Sequence, residues 1–353
     1  MTSKPQRKKR WITNIKWLLS MKTGLRKARG LGLCSGGLDS ILAGRVLQEQ
    51  GIEVEWVSFE TPFFSSDKAR KASQLYGINL TVKDITPEYL PMLKDPPAGY
   101  GKYMNPCMDC HSLMFRLAGH MMIENNFDFL FSGEVLGQRP MSQTRQSLRY
   151  VEKHSGFDGY IIRPLSAKHL PISIPEKQGL VDREQLLDLD GRSRKPQIRL
   201  ARNYGITVYP APAGGCLLTD KVFGQRLKDL FDHQDDYDER DFHLLKFGRH
   251  LRLSPSIKLI AGRTEEENNQ LAKLYDSKKD MLCNLVKIPG PVVMVPGGCS
   301  SEEKQLLAAT ICASYGKIPK TLPVDVWIKT VKERKKVQVI PLPVSAFQKW
   351  MVG

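Results

Sequence analysis

Leu31-Gly32-Leu33-Cys34-Ser35-Gly36-Gly37-Leu38-Asp39-Ser40 runs from a short apolar strand (about Gly30 to Cys34) through a Gly-rich turn into a helical pattern, Ile41, Leu42, Val46 and Leu47. A strand, a glycine turn and a helix N-terminus in that order make an anion site. Glycines let backbone N–H groups approach a phosphate, and the helix dipole favours its charge. Ser35 and Ser40 can donate hydroxyl hydrogen bonds, while Asp39 is suited to Mg2+ rather than to phosphate. No G-K-[ST] is present in the turn, so this is not a Walker-type loop. The plain alternative is a structural Ser/Gly turn ahead of a helix.

Outward from the turn, strands and helices alternate. Val54–Phe59 and Asn79–Asp84 read as strands, and Ser66–Tyr76 and the segment after Thr86 as helices. That alternation predicts an α/β fold, a doubly wound parallel sheet with its ligand at the C-terminal ends of the strands. Phe127–Phe131 is a fourth strand, ending in Ser132-Gly133-Glu134-Val135-Leu136-Gly137-Gln138-Arg139-Pro140, a second polar loop at the same sheet edge. Arg139 can neutralise phosphate there, and Glu134 can hold a ligand or a neighbouring base; either is equally readable as an ordinary loop charge. S-G-G-x-D-S resembles the PP-loop of the ATP pyrophosphatase superfamily, whose members cleave ATP to AMP and pyrophosphate. The resemblance implies ATP held by Ser35, Gly36, Gly37, Leu38, Asp39 and Ser40, with Mg2+ on Asp39 and with Gly133 and Arg139 from the second loop. The strand-end rule places Val57, Ser58 and Phe59 near the adenine, chiefly through backbone contacts.

Charge divides the chain of 353 residues unevenly. The net charge is +16, yet residues 1–29 hold ten Lys/Arg and no acid, residues 30–250 hold 27 against 28, and residues 251–353 hold 16 against nine. A nearly neutral body with basic ends is the layout of a catalytic core with polyanion-binding appendages. The head, Lys4 to Arg10 followed by Trp11, Ile15 and Leu18, reads as a short basic amphipathic helix without the apolar core of a secretory signal. Seven cysteines, an odd number, argue against a disulfide scaffold and for a reducing cytoplasm. No apolar run reaches membrane-spanning length.

The cysteines bear on the acceptor. In Asn105-Pro106-Cys107-Met108-Asp109-Cys110-His111, Asn105 fits a helix N-cap and Pro106 the first helical position, which puts Cys107 and Cys110 one turn apart on one face. The helix dipole there favours a thiolate. Pro210-Ala211-Pro212-Ala213-Gly214-Gly215 delivers Cys216 just before a helix at about Lys221–Leu230, while Cys34 packs behind the Gly-rich turn. The segment N-P-x-x-x-C resembles the tRNA 2-thiouridylases at Asn105, Pro106 and Cys110, with His111 where Asn is usual and Ser132-Gly133-Glu134 where T-G-H is common. That resemblance implies Cys110 and Cys216 as the catalytic cysteines, with RNA, in particular tRNA, and a sulfur donor as partners. C-x-x-C with one distant cysteine is also similar to tRNA thiolases that hold a 4Fe–4S cluster, here on Cys107, Cys110 and Cys216. Cys107 has no task in a persulfide route, which favours the cluster. Structural zinc with His111 as fourth ligand is the plain alternative. Other acceptors are those of a PP-loop amide ligase or lysidine-type enzyme; a non-catalytic RNA-binding quality-control factor is the reading from outside enzymology.

Beyond Arg249 the pattern changes to a smaller basic α+β module. Strands are expected at Ile257–Gly262, Met281–Lys287 and Val292–Val295, and helices at Glu265–Tyr275 and Ser301–Tyr315. Val324–Val331 alternates, and Arg334-Lys335-Lys336 reads as a basic turn before Val337–Ile340. Ile257-Lys258-Leu259-Ile260-Ala261-Gly262-Arg263 and Val286-Lys287-Ile288-Pro289-Gly290-Pro291 are similar to the RNA-binding domain that ends NFACT proteins. The expected division is a basic extension (1–27), a PP-loop domain (28–165), a linking region with the Cys216 loop (166–250) and the RNA-binding-like domain (251–353).

Overall fold

The computed structural model describes residues 26–210, 215–319 and 321–353. The basic head and most of the Pro/Gly loop before Gly215 lie outside these described residues. The chain divides into two compact units, one within Met1–Gly101 and Pro106–Gly215, the other within Lys102–Asn105 and Cys216–Gly353.

The first unit is a parallel α/β sheet. Its elements in chain order are β1 (Arg29–Leu33), α1 (Leu38–Glu49), β2 (Glu53–Glu60), α2 (Asp67–Tyr76), β3 (Leu80–Asp84), α3 (Thr86–Lys94), α4 (Cys107–Glu124), β4 (Phe129–Ser132), α5 (Arg145–Ser155), β5 (Ile161–Ile162), α6 (Ile174–Lys177) and α7 (Lys195–Asn203). The five strands lie in the order β3-β2-β1-β4-β5, every pair parallel. Strand order therefore reverses at β1, where the chain first winds toward β3 and later returns to β4. In such sheets the crevice for a ligand opens at the C-terminal ends of the strands beside that reversal.

Local sequence explains how β1 fits there. Gly30 pairs with Phe129 and Gly32 with Phe131, and a Cβ on Gly32 would meet the Phe131 ring at 2.2 Å. The two glycines thus make room for aromatic rings of the next strand. Helix α1 is apolar on most sides, with Leu38, Ile41, Leu42 and Leu47 at 0–1% exposure, because it is packed over the sheet and under α7. Each such burial stabilises the fold by about 1.5–3 kcal/mol.

The second unit carries α8 (Lys221–His233), α9 (Glu239–Leu244), β6 (Arg249–Ser254), β7 (Ile257–Ala261), α10 (Glu265–Leu274), β8 (Met281–Leu285), β9 (Val293–Val295), α11 (Glu302–Tyr315), β10 (Val324–Lys329), β11 (Arg334–Val339) and β12 (Met351–Val352). Its seven strands form one antiparallel sheet in the order β11-β10-β8-β9-β7-β6-β12. Ser301 caps α11 by accepting from Lys304 N, and α11 buries Ala308, Ala309, Ile311 and Cys312 against the sheet.

Two local expectations are corrected. Arg334-Lys335-Lys336 is strand, not turn: Trp327 pairs with Lys336 and Ile328 with Lys335, while Thr330–Glu333 makes the reversal through Thr330 N donating to Glu333 O. An edge strand tolerates, and is protected by, such charge. Its Arg334 guanidinium lies 4.1 Å over the Trp327 ring, and Lys336 pairs with Asp325 at 3.1 Å. Asn105 is not the cap of α4. Its Oδ1 accepts instead from Tyr103 N, Pro106 holds the cap position with ψ 58°, and no side chain caps the helix.

Candidate nucleotide and cysteine site

Turn residues Cys34–Gly37 connect β1 to α1 at the sheet's reversal point, and Leu38–Ser40 open the helix. Gly36 has φ +71°, and a Cβ there would press 2.2 Å from the Lys68 carbonyl carbon, so only glycine fits. Gly37 holds the N-cap of α1 with no side chain to occupy the first N–H groups of the helix. The hydroxyls of Ser35 and Ser40 face each other at 3.2 Å, and Ser35 N donates to Ser40 Oγ at 3.3 Å. Ser35 is exposed and Ser40 buried. Cys34 lies behind the turn as expected: it is 4% exposed, its Sγ accepts from Gly36 N, and burial pushes its thiol pKa up to about 12.

The second polar loop closes onto this turn. A Cβ on Gly133 would lie 2.3 Å from the Asp39 carbonyl carbon, so the backbone after β4 runs directly against the start of α1. Asp39 accepts through Oδ2 from Gln138 Nε2 at 3.1 Å and lies 3.7 Å from Arg194, while its buried Oδ1 has no hydrogen-bond partner among the described residues. Burial raises the Asp39 pKa, against the opposing charge of Arg194, the Gln138 hydrogen bond and Arg139. A half-buried carboxylate whose buried Oδ1 is unpartnered, beside an uncapped helix N-terminus, fits a divalent cation accompanying a polyphosphate. Arg139 is exposed. Ser58 and Phe59 are buried in β2; Ser58 Oγ accepts from Ser66 Oγ at 2.8 Å, and Val57 O accepts from Cys34 N.

The cysteine motif opens α4. Cys107 and Cys110 stand in its first turn, Cys110 the more buried, and Cys110 N donates to Pro106 O. Between them Asp109 is 6% exposed and takes hydrogen bonds from Ala98 N and Tyr150 Oη, both 2.8 Å, which ties the segment Pro96–Gly101 before the motif to α5. Cys216 begins the described part of the second unit's main segment, followed by a short 3-10 turn and by α8, whose N-cap Asp220 accepts from Phe223 N. Among the described residues no three His, Cys, Asp or Glu side chains form a group that could hold a metal ion.

Sequence reasoning missed a buried ion network beside the motif. Glu134 accepts from Arg163 Nε at 2.9 Å and from Ser132 Oγ at 3.1 Å, and bonds His111 Nδ1 at 2.8 Å; Arg163 also pairs with Glu152. Arg163 is 2% exposed. Burial alone would raise the Glu134 pKa, but the charge of Arg163 and the hydrogen bond from His111 reverse this and hold it at about 2. The available signal was a lone Arg inside the apolar run Tyr160–Leu165. Arg194, which reaches Asp39, was not singled out by the sequence.

Comparisons with known proteins come in two parts, matching the two units. Residues 26–170 match the family model "Thiamine biosynthesis protein (ThiI)", and residues 248–351 match the model "NFACT protein RNA binding domain". The chain is 30% identical over 146 residues to a "Probable tRNA sulfurtransferase" of Oceanobacillus iheyensis, covering 39% of this chain and 34% of that protein. It is 31% identical over 148 residues to one of Finegoldia magna, covering 39% and 36%. The chain thus spans about a third of the length of these curated relatives. A solved structure described as a predicted subunit of a tRNA methyltransferase from Methanocaldococcus jannaschii is similar at 14% identity and a TM-score of 0.33, covering 50% of this chain and 76% of that one. The first unit therefore resembles tRNA sulfurtransferases, and the second an RNA-binding domain. No described helix is long and apolar enough to cross a membrane.

Proposed function

We propose that this chain is an ATP-dependent sulfurtransferase that acts on tRNA in the reducing cytoplasm, replacing a uridine carbonyl oxygen by sulfur with formation of AMP and pyrophosphate. The observation that supports it most is the pairing, in one unit, of the open α1 N-terminus at Asp39 with a cysteine-bearing helix start at Cys107 and Cys110. Backbone N–H groups of Leu38 to Ser40 at the uncapped start of α1 and the Ser35 and Ser40 hydroxyls would take the phosphate oxygens, with the Arg139 charge beside them. Asp39 would hold Mg2+, which when bound neutralises charge developing on the leaving pyrophosphate.

Attack of the base oxygen on the α-phosphorus breaks the bond to pyrophosphate and leaves the base carbon carrying AMP. Sulfur supplied by a persulfide donor rests on Cys110 as Cys–S–SH. Its terminal sulfur then displaces AMP, giving a base–S–S–Cys110 linkage. Cys216 thiolate attacks the Cys110 sulfur, the thiocarbonyl base leaves with the electron pair, and a Cys110–Cys216 disulfide remains for an external thiol to reduce. This reading requires Cys216 to meet Cys110 during turnover, and gives Cys107 no step. The alternative use of the three cysteines, as ligands of a 4Fe–4S cluster, differs in two measurable ways.

Nucleoside mass spectrometry of tRNA incubated with protein, ATP, Mg2+ and a persulfide donor is expected to show a thiouridine absent from controls lacking ATP. Absence of any thionucleoside would overturn the proposal. In the persulfide route anaerobically purified protein contains no iron and Cys107→Ala retains activity. With a cluster, iron is present and Cys107→Ala loses both iron and activity.

The second unit is proposed to hold the RNA. Arg334, Lys335 and Lys336 lie along the edge strand β11, so RNA affinity should fall steeply with salt, and changing all three to Ala should reduce the slope by up to about three phosphate contacts. Filter binding across a salt series reads this, and an unchanged slope would place the RNA contacts elsewhere.

A further inference from the structure

The uridine-thiolation reading also leaves His111 of the cysteine motif without a task. His111 follows Cys110 directly, in the first turns of α4, and its side chain is 31% exposed. One ring nitrogen, Nδ1, is bound by Glu134 at 2.8 Å; no described residue hydrogen-bonds the other, Nε2.

The orientation of this ring is fixed from behind. Glu134 is buried and ion-paired with Arg163, itself held by Glu152, so its carboxyl is ionised. A carboxylate only accepts hydrogen bonds. Nδ1 must therefore carry the hydrogen, and in the neutral ring Nε2 presents a lone pair. Ser132 Oγ donates to the same carboxylate, which leaves Glu134 little freedom to turn away. The ring also has a defined place relative to the nucleotide turn. Glu134 immediately follows Gly133, whose backbone lies against that of Asp39, so the supported imidazole stands beside the loop proposed to bind phosphate.

We infer that His111 is a substrate-recognition residue, its Nε2 lone pair accepting the N3–H of the uracil ring that is to be thiolated. The chemistry of uracil makes this acceptor suitable whichever oxygen reacts. N3 lies between the C2 and C4 carbonyls, so one acceptor at N3 orients either oxygen toward the α-phosphorus. It also discriminates: cytosine carries a lone pair, not a hydrogen, at N3, and would oppose its lone pair to that of His111. A site built around a rigid polar group rejects an analogue lacking the partner far better than an apolar pocket could.

This inference rests on the uridine-thiolation reading, and its test separates the two. Wild-type protein first thiolates tRNA, and mass spectrometry maps the position. The same tRNA is then prepared with N3-methyluridine at that position. Wild type should lose about 100-fold in kcat/KM on the methylated substrate, and His111→Ala about 100-fold on the ordinary one. Methylation should cost His111→Ala less than about threefold more, because the two changes remove the same hydrogen bond. His111→Asn, which offers a carboxamide oxygen, should stay within about tenfold of wild type. ATP affinity should match wild type in both variants.

Equal turnover of uridine by wild type and His111→Ala would overturn the inference and leave the thiolation reading standing. So would a lowered melting temperature in both variants with no rescue by Asn, which marks a structural role. Failure of wild type to form any thionucleoside would remove both.

Discussion

Asp39→Asn is expected to reduce RNA-dependent pyrophosphate release on the order of 10^3-fold while leaving the protein folded. The side chain keeps its size, and an amide oxygen can still accept from Gln138, so packing is unchanged. What disappears is the anionic oxygen Oδ1, which has no partner among the described residues. The stability effect has the opposite sign. Burial raises the Asp39 pKa, so the folded state holds this proton more tightly than the unfolded chain does. Its stabilising contribution is present below the ordinary value of about 3.9 and is lost as pH rises through the raised folded value. At pH 7 the ionised group is therefore a burden on the ligand-free fold, and the Asn variant should melt at or above the wild-type temperature. Scanning calorimetry with and without MgATP checks both halves, the ligand-induced stabilisation of wild type being lost in the variant. Near-normal pyrophosphate release would remove the nucleotide-loop assignment.

Arg163→Met is expected to destabilise the first unit by about 3–5 kcal/mol, because it leaves Glu134 buried without its principal counter-charge. The pH dependence identifies the cause. Glu134 is held at about 2, so its contribution is present above the unfolded value of about 4.3 and is lost as pH falls through about 2. The difference between wild type and Arg163→Met, measured by urea denaturation, should be widest near neutrality and narrow in acid across that window. A pH-independent difference would mean that packing around Met, not charge, carries the effect. The milder Glu152→Gln, which keeps the Glu134 pair, should destabilise less.

Much of the first unit was legible because its signals are local. Short apolar runs marked the strands, glycines marked the turn after β1, and alternating elements implied a parallel sheet. What was not legible depends on partners far along the chain. Nothing local in Arg194 points to Asp39, 155 residues away, and nothing in Glu134 announces Arg163. Local rules also misled where two uses compete for one residue. Asn105 has the chemistry of a helix cap, but its carboxamide is drawn to Tyr103 N, and the helix begins from Pro106 instead. Three consecutive cations suggested a turn in Arg334–Lys336, yet at a sheet edge each finds its own outlet: an indole face, Glu333 and Asp325. The strand β6 was missed because its alternation is broken by Arg249, His250 and Arg252, polar residues that a sequence pattern counts against a strand.

Gly37 sits at φ −81° and ψ 164°, a conformation open to any residue, and a Cβ there would meet only Ser35 Oγ at 3.4 Å. Neither backbone strain nor crowding demands glycine at this position. Serine or aspartate would cap α1 and strengthen the empty protein by a few tenths of a kcal/mol. The capping oxygen would then sit on the same N–H groups that the proposed phosphate would use. Stability and turnover consequently pull this codon in opposite directions. Laboratory evolution for heat resistance alone should drift toward Ser or Asp at position 37 and close the proposed phosphate site on the way, whereas selection that includes the proposed activity should keep the helix bare.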